Sequence, residues 1–353
     1  MEELFKPKYF APVNLAYYPT ALEIFILSFF SIFPNIYFLY KALTNDRFTK
    51  RPMLKMTVII LSIEYMIASI HAVATALIYL VPYYFDLPIS VMGCAWIRSF
   101  FYITLQIVFS TPFIIYIDRH FKIIRNKGCN PTILATIALI INLPAIVFHF
   151  GHKFDSHPVY IADEVCTYQH FSTNPYIHKS QYLMMFTLVA APIFAGLMNV
   201  YTFYALHAQN KVASQRRIKE QKQLFIALTV QSVFPVFSYG PSVATGILYS
   251  IGKFYFQKDL ILFHVAKTSE SWPIWKYLNA IFYSSMGVCV LLSVIFIKDI
   301  REMILIDMRL MKPELATKTP ITVITVSANM NLNSQRRVSN KVPSVKKANH
   351  TVM

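Results

Sequence analysis

Several places in the 353-residue sequence put ionisable side chains where chemistry or switching can occur. Glu64 stands inside the otherwise apolar run Met56–Val81, and His71 follows seven residues later on the same face of a helix. A carboxyl so placed can be a protonated donor, a cation ligand or the partner of a polar neighbour such as Asn35; the bland alternative is a neutral acid that only packs. Asp118-Arg119-His120 closes another apolar run, where an adjacent Asp and Arg can form a surface pair worth little. His149, His152, His157, His170 and His178 gather around one loop. A metal would need them to converge, which spacing does not establish, and most such histidines are solvated. No histidine box, Ser-His-Asp set or metal-ligand run falls on one face, so the chain is read as a binding protein rather than an enzyme. No cofactor and no metal are expected.

The elements that position these residues follow from composition. The sequence is 56% hydrophobic and only 14% charged, against about 25% charged in an ordinary soluble domain. That excludes a disordered chain and disfavours a soluble enzyme. Eight glycines argue against phosphate-cradling folds. The formal charge of +16 raises nucleic acid as a partner. Yet the basic residues fall between long apolar runs rather than beside a soluble core, so the lipid bilayer is the expected partner and nucleic acid is not. Seven runs are long enough to span it: Tyr18–Tyr40, Met56–Val81, Cys94–Ile117, Thr132–Phe150, Tyr182–Leu206, Leu224–Ile251 and Tyr277–Ile297. No basic segment precedes the first, so a removable signal peptide is not expected. No repeat relates the two halves, which weighs against a transporter.

With the N-terminus outside, 24 Lys and Arg lie on inner segments and nine on outer ones, so the chain reads as N-outside, C-inside. Cys94 and Cys166 then both face an oxidising compartment and are the one pair of outer cysteines, which allows a disulfide between them. Cys129 is expected reduced in an inner loop and Cys289 packed within the seventh span. After that span, Ile300, Ile304 and Met308 recur at helical spacing beside Arg301, Arg309 and Lys312, which predicts a short amphipathic helix over 298–312 on the inner leaflet. The organisation is therefore an outer terminus at 1–17, an all-α bundle at 18–297, the surface helix, and a disordered tail at 313–353. From Cys94 to Arg119 is about 37 Å of helix at 1.5 Å per residue, so the two lie at opposite ends of one helix.

Seven spans, an outer N-terminus, Cys94 and Cys166, and Asp118-Arg119-His120 at that distance together resemble a G-protein-coupled receptor. His120 replaces the tyrosine usual in that triplet. Asn35 and Glu64 look like the polar pair that the rhodopsin-like class carries on its first two helices, with Glu in place of Asp. The seventh-span Asn-Pro-x-x-Tyr motif is absent, with Met286-Gly287-Val288-Cys289 in its region. The segment from Glu220 to Pro235, Pro52-Met53 with Lys55, Ile117 to Phe121, and Phe296 to Arg301 resemble nematode serpentine chemoreceptors of the Str/Srh-like superfamily.

The resemblance implies a chemosensory receptor in the plasma membrane, in sensory-neuron cilia, that binds an external small molecule and signals through a heterotrimeric G protein. Asp118, Arg119 and His120 would serve coupling, with Pro235 or Pro241 as the hinge of the sixth helix. Arg98, Phe101, Tyr102 and Leu105, below Cys94 on the inward-capable side, form the expected pocket with Tyr239. Phe101 stands where amine receptors carry an acid, which disfavours a cationic amine. Arg98 can meet an acidic ligand or reach the lipid headgroups. Ser339 after Arg336-Arg337 suits a basic-directed kinase, and Thr351-Val352-Met353 suits a PDZ-type partner. The competing readings are a seven-span ligand-gated channel of the insect odorant-receptor type and a small membrane transporter.

Overall fold

The computed structural model describes residues 10–13, 15–124, 128–151, 158–162, 167–172, 174–209, 225–226, 229–230, 233–234, 236–238, 240 and 273–311. They build α1 (Tyr18–Thr44), the single turn α2 (Asp46–Thr49), α3 (Pro52–Phe85), α4 (Val91–Ile124), α5 (Pro131–Gly151), α6 (Pro175–Gln209), α7 (Pro273–Ile295) and α8 (Lys298–Asp307). Helices α1, α3, α4, α5 and α6 are each long and apolar enough to cross a bilayer, and α7 holds the shorter apolar helix Ala280–Leu292. The described fragments between 225 and 240, in the expected sixth span, are helical too. The architecture is a seven-transmembrane helix bundle.

Proline starts and tests these helices. Pro52, Pro131, Pro175 and Pro273 occupy first helical positions, where the missing N–H has no partner to lose and φ is already helical. Pro34, Pro82, Pro112, Pro144 and Pro192 lie inside the five long helices. Packed neighbours can re-satisfy the carbonyls that such prolines free in a membrane. Helix α3 ends on Asp86, whose left-handed φ of 53° turns its N–H back to the Pro82 carbonyl. The helices outrun the apolar runs of the sequence, α3 by four residues at each end, because helical hydrogen bonding continues into polar surroundings after the hydrocarbon stops.

Within the unit Met1–Met303, α1 packs on α3 and α7, α3 on α4 and α7, and α4 on α5 and α6, so α4 is central. The core admits small residues and the periphery large ones. Ala68, Ala72 and Ala76 form a fully buried stripe one turn apart on α3, while Phe30, Ile140 and Phe186 face outward. Small residues let backbones approach where lipid offers no hydrophobic drive between helices.

Two short antiparallel pairings lie at the Cys94 end. Strand β1 (Phe10–Ala11) pairs with β2 (Ile89–Ser90), tying the N-terminal segment to the α3–α4 turn. Strands β3 (Pro158–Ala162) and β4 (Thr167–Ser172) form a hairpin between α5 and α6, with a register shift between Val159 and Tyr160, and β4 lies on α4.

Helix α8 is shorter than the run read from the sequence. In the unit Ile304–Met353, the Met308 amide reaches the Ile304 carbonyl at 2.9 Å, the Leu310 amide reaches Leu305 at 2.8 Å, and Arg309 takes a left-handed φ of 58°. That closing turn stops the helix at Asp307. In the first unit Ile300 and Met303 are buried in protein, so these members of the apolar stripe do not face lipid. Arg47 donates to the Asp299 carbonyl and Arg51 to its carboxylate at 2.6 Å, holding the start of α8 against α2 and α3.

Candidate functional site

Helix α4 carries polar contacts to three neighbours. Toward α6, Gln106 Nε2 donates to Thr187 Oγ1 at 3.0 Å, Arg119 Nη1 to Asn199 Oδ1 at 3.1 Å, and His120 Nδ1 lies 3.1 Å from Thr202 Oγ1. The three pairs keep one register along two parallel helices. Toward α5, Ser110 and Asn142 bond reciprocally at 3.0–3.1 Å. Toward α3, Thr111 Oγ1 donates to Glu64 Oε1 at 2.6 Å, and Thr104 Oγ1 lies 2.9 Å from His71 Nδ1. Glu64 and His71 thus share a face, as their spacing predicts, and each meets a threonine on the antiparallel helix.

The two polar-core residues meet different helices. Asn35 is fully buried and donates to the Ser31 and Met286 carbonyls at 2.8 and 3.0 Å, so it ties α1 to α7. Glu64 turns to α4 instead. The two are not hydrogen-bonded to each other; Asn35 Oδ1 and Glu64 Oε2 are each buried without a hydrogen-bond partner. The reason is helical phase. Tyr65, one residue on, faces α7 and donates to Cys289 Sγ at 3.0 Å, and Ser69 continues that face toward Met286. Glu64, about 100° round the helix, faces α4.

At the far end of α4, Asp118 and Arg119 do not pair. Asp118 binds Lys122 and accepts the Cys129 amide at 3.3 Å, between α4 and α5. Arg119 is only 8% exposed. Beyond it, Asn199 Nδ2 donates to Thr229 Oγ1 at 2.8 Å and to the Phe225 carbonyl at 3.2 Å, and Phe203 stacks on Phe225 at 4.4 Å. A chain of contacts therefore runs from Arg119 through Asn199 to the sixth-span residues Phe225 and Thr229. Asn199 is the residue that sequence reasoning missed. Its signal was a lone amide inside the apolar stretch of α6.

At the Cys94 end, Cys94 is buried and disulfide-bonded, while Cys129 and Cys289 are not in disulfides. Arg98 is 6% exposed. Its guanidinium lies 5.4 Å from the Tyr102 ring centroid, and Tyr102 stacks on His149 at 5.6 Å and 7°. Phe101 stacks on Tyr283 at 6.2 Å and meets Phe282 edge-on, and Leu105 is buried below. Phe101 therefore packs on α7, while Tyr102 and His149 join α4 to α5. Cys166, Tyr239, Pro235 and Pro241 lie outside the described residues, as do His152, His157 and the tail motifs. Among the described residues no group of His, Cys, Asp and Glu is placed to hold a metal.

Residues 152–269 match the family described as serpentine type 7TM GPCR chemoreceptor Srd. No curated protein matches the chain. Squid rhodopsin shares the fold, with a TM-score of 0.57 over 93% of each chain at 14% identity. The likeness to squid rhodopsin shows the fold, a seven-transmembrane helix bundle. Over residues 152–269, a third of its length, the chain is similar to the Srd chemoreceptors. Neither comparison favours a channel or a transporter.

Proposed function

We propose that the receptor admits an external small molecule to the Cys94 half of the bundle and reports its presence to a heterotrimeric G protein at the Arg119 end. The observation that carries this reading is the chain Arg119–Asn199–Thr229, buried at Arg119 and Asn199, which joins α4, α6 and the sixth span. A ligand that favours an arrangement with this chain open shifts the population toward it. Opening frees the Arg119 guanidinium and the inner end of the sixth span to receive a helix of the G protein. Pro235 and Pro241 are the proposed hinge, since proline breaks the backbone ladder. The topology is N-outside and C-inside, and Cys94 pairs with Cys166, which the charge balance of the loops supports. The site of action is the plasma membrane of a sensory cilium.

Two measurements test this. Epitope tags at the two ends, labelled with and without permeabilisation, should show only the N-terminus on intact cells; a surface C-terminus ends the reading. Arg119→Ala should abolish evoked second-messenger change with surface expression retained, and an unaltered response removes Arg119 from coupling.

A further inference from the structure

Two prolines interrupt neighbouring helices at one height. The bonds between α4 and α6 join residues at a nearly constant interval, 81 for Gln106–Thr187, 80 for Arg119–Asn199 and 82 for His120–Thr202. Pro112 of α4 and Pro192 of α6 are also 80 apart in the numbering and fall between the first and second of these pairs. The two prolines therefore lie level on helices that pack side by side, and both are buried. Just beyond them, Tyr116 packs on Ala195. A proline has no N–H to give to the carbonyl four residues back, so in this layer each helix loses one bond of its backbone ladder, at Val108 and at Leu188. Helices bend at such places.

The ties of α4 divide at the same point. On the Cys94 side of Pro112, Thr104 and Thr111 meet His71 and Glu64 of α3, and Ser110 bonds reciprocally with Asn142 of α5. Ser110 and Thr111 immediately precede the proline, so the turn that leads into it is clasped by two helices. On the other side, Arg119 and His120 bond to α6. Arg119 lies about 10 Å along the helix from Pro112, so a change of about 20° in the bend moves it by about 3–4 Å. That parts the 3.1 Å bond to Asn199 while the clasps before the proline stay closed. A rigid α4 would have to tilt as a whole and strain those clasps as well. We propose that Pro112 is a hinge in α4, matched by Pro192 in α6, at which the two helices part and release Arg119, a device that deepens the reading under Proposed function and rests on it.

The test uses the purified full-length receptor in lipid nanodiscs, in a Cys129→Ser background, with spin-label pairs between α3 and α4. Lys55→Cys with Lys122→Cys reports on the Arg119 side of Pro112, and Leu77→Cys with Phe100→Cys on the Cys94 side; Lys122, Leu77 and Phe100 are exposed. Asn199→Leu, which releases Arg119, should shift or broaden the first distance by about 3–4 Å and leave the second unchanged. Adding Pro112→Ala, which restores the missing N–H, should remove about half of that change or more. Pro112→Leu, which keeps more of the buried volume, is the second variant and should act alike. An unmoved first pair, a change shared by both pairs, or a first-pair change that survives both proline substitutions in full each overturn the hinge. Ligand-independent nucleotide exchange on an added G protein is measured on the same variants. Movement of the first pair with no effect on exchange keeps the hinge and removes the receptor reading. A rise in exchange in Asn199→Leu without that movement removes the hinge and leaves the receptor reading standing.

Discussion

Gly287 on α7 and Ser31 on α1 meet without room for a side chain between them: a Cβ at Gly287 would lie 3.0 Å from both Cα and Oγ of Ser31. The Ser31 hydroxyl lies 2.8 Å from the Leu27 carbonyl of its own helix and 3.1 Å from the Tyr283 carbonyl opposite. One turn along, Asn35 reaches the Met286 carbonyl. The close approach and the two bonds depend on each other. Gly287→Ala must push against backbone, not a flexible side-chain tip, and should cost about 1–3 kcal/mol as overpacking does. The readout is a lowered melting temperature of the purified receptor and less of it at the cell surface, with Gly287→Leu worse than Gly287→Ala. Melting of the alanine variant at the parent temperature would show that α1 and α7 are not held this closely.

The Arg119–Asn199–Thr229 chain predicts a basal phenotype of limited size. Interhelical hydrogen bonds in membranes average about 0.6 kcal/mol, which is roughly a threefold change in an equilibrium constant. Asn199→Leu removes the link to Arg119 and both links to the sixth span, so ligand-independent signalling should rise severalfold without becoming fully locked on. Thr229→Val keeps the bond from Asn199 to the Phe225 carbonyl and should raise it less. A second-messenger assay normalised to surface receptor distinguishes the two. Unchanged or lowered basal signalling in Asn199→Leu would mean that the chain does not restrain the sixth span.

Much of this arrangement was legible in the residues. The apolar runs gave the spans because a bilayer imposes a length that sequence reports directly. The seven-residue interval between Glu64 and His71 gave their shared face because helical phase is fixed. What could not be read was which neighbour each face meets. Asn35 is one possible partner of Glu64 in the sequence, but one residue of phase sends Tyr65 to α7 and Glu64 to α4. Asn199 was overlooked because an amide in an apolar run gains significance only once Arg119 is seen beside it. The hairpin β3–β4 was missed because its two short strands lie among the polar residues and histidines of a loop.

The outer disulfide gives a coupling test. If Cys94 and Cys166 share one bond, Cys94→Ser and Cys166→Ser should each reduce folded surface receptor to a similar degree, and the double change should do no more. Independent sites add, whereas two halves of one bond do not. Surface biotinylation quantifies the three variants, and additive losses would assign Cys94 a different partner.

The contact between Thr111 and Glu64 separates a polar pair that stabilises from one that the bundle tolerates. Glu64 Oε1 has Thr111 at 2.6 Å, while Oε2 is buried without a partner. Removing one member of such a pair leaves the other desolvated at about 1–3 kcal/mol, whereas replacing both by apolar groups of similar shape is close to neutral. Thr111→Val should therefore lower the melting temperature, and adding Glu64→Leu to it should restore much of the loss. Glu64→Gln in the parent should be mild, because the amide oxygen still accepts from Thr111. The order expected in detergent is parent, then Glu64→Gln, then the double variant, with Thr111→Val least stable. If the double variant were the least stable of all, Glu64 would be held by more than Thr111, and a bound cation or water at Oε2 would become the object to look for.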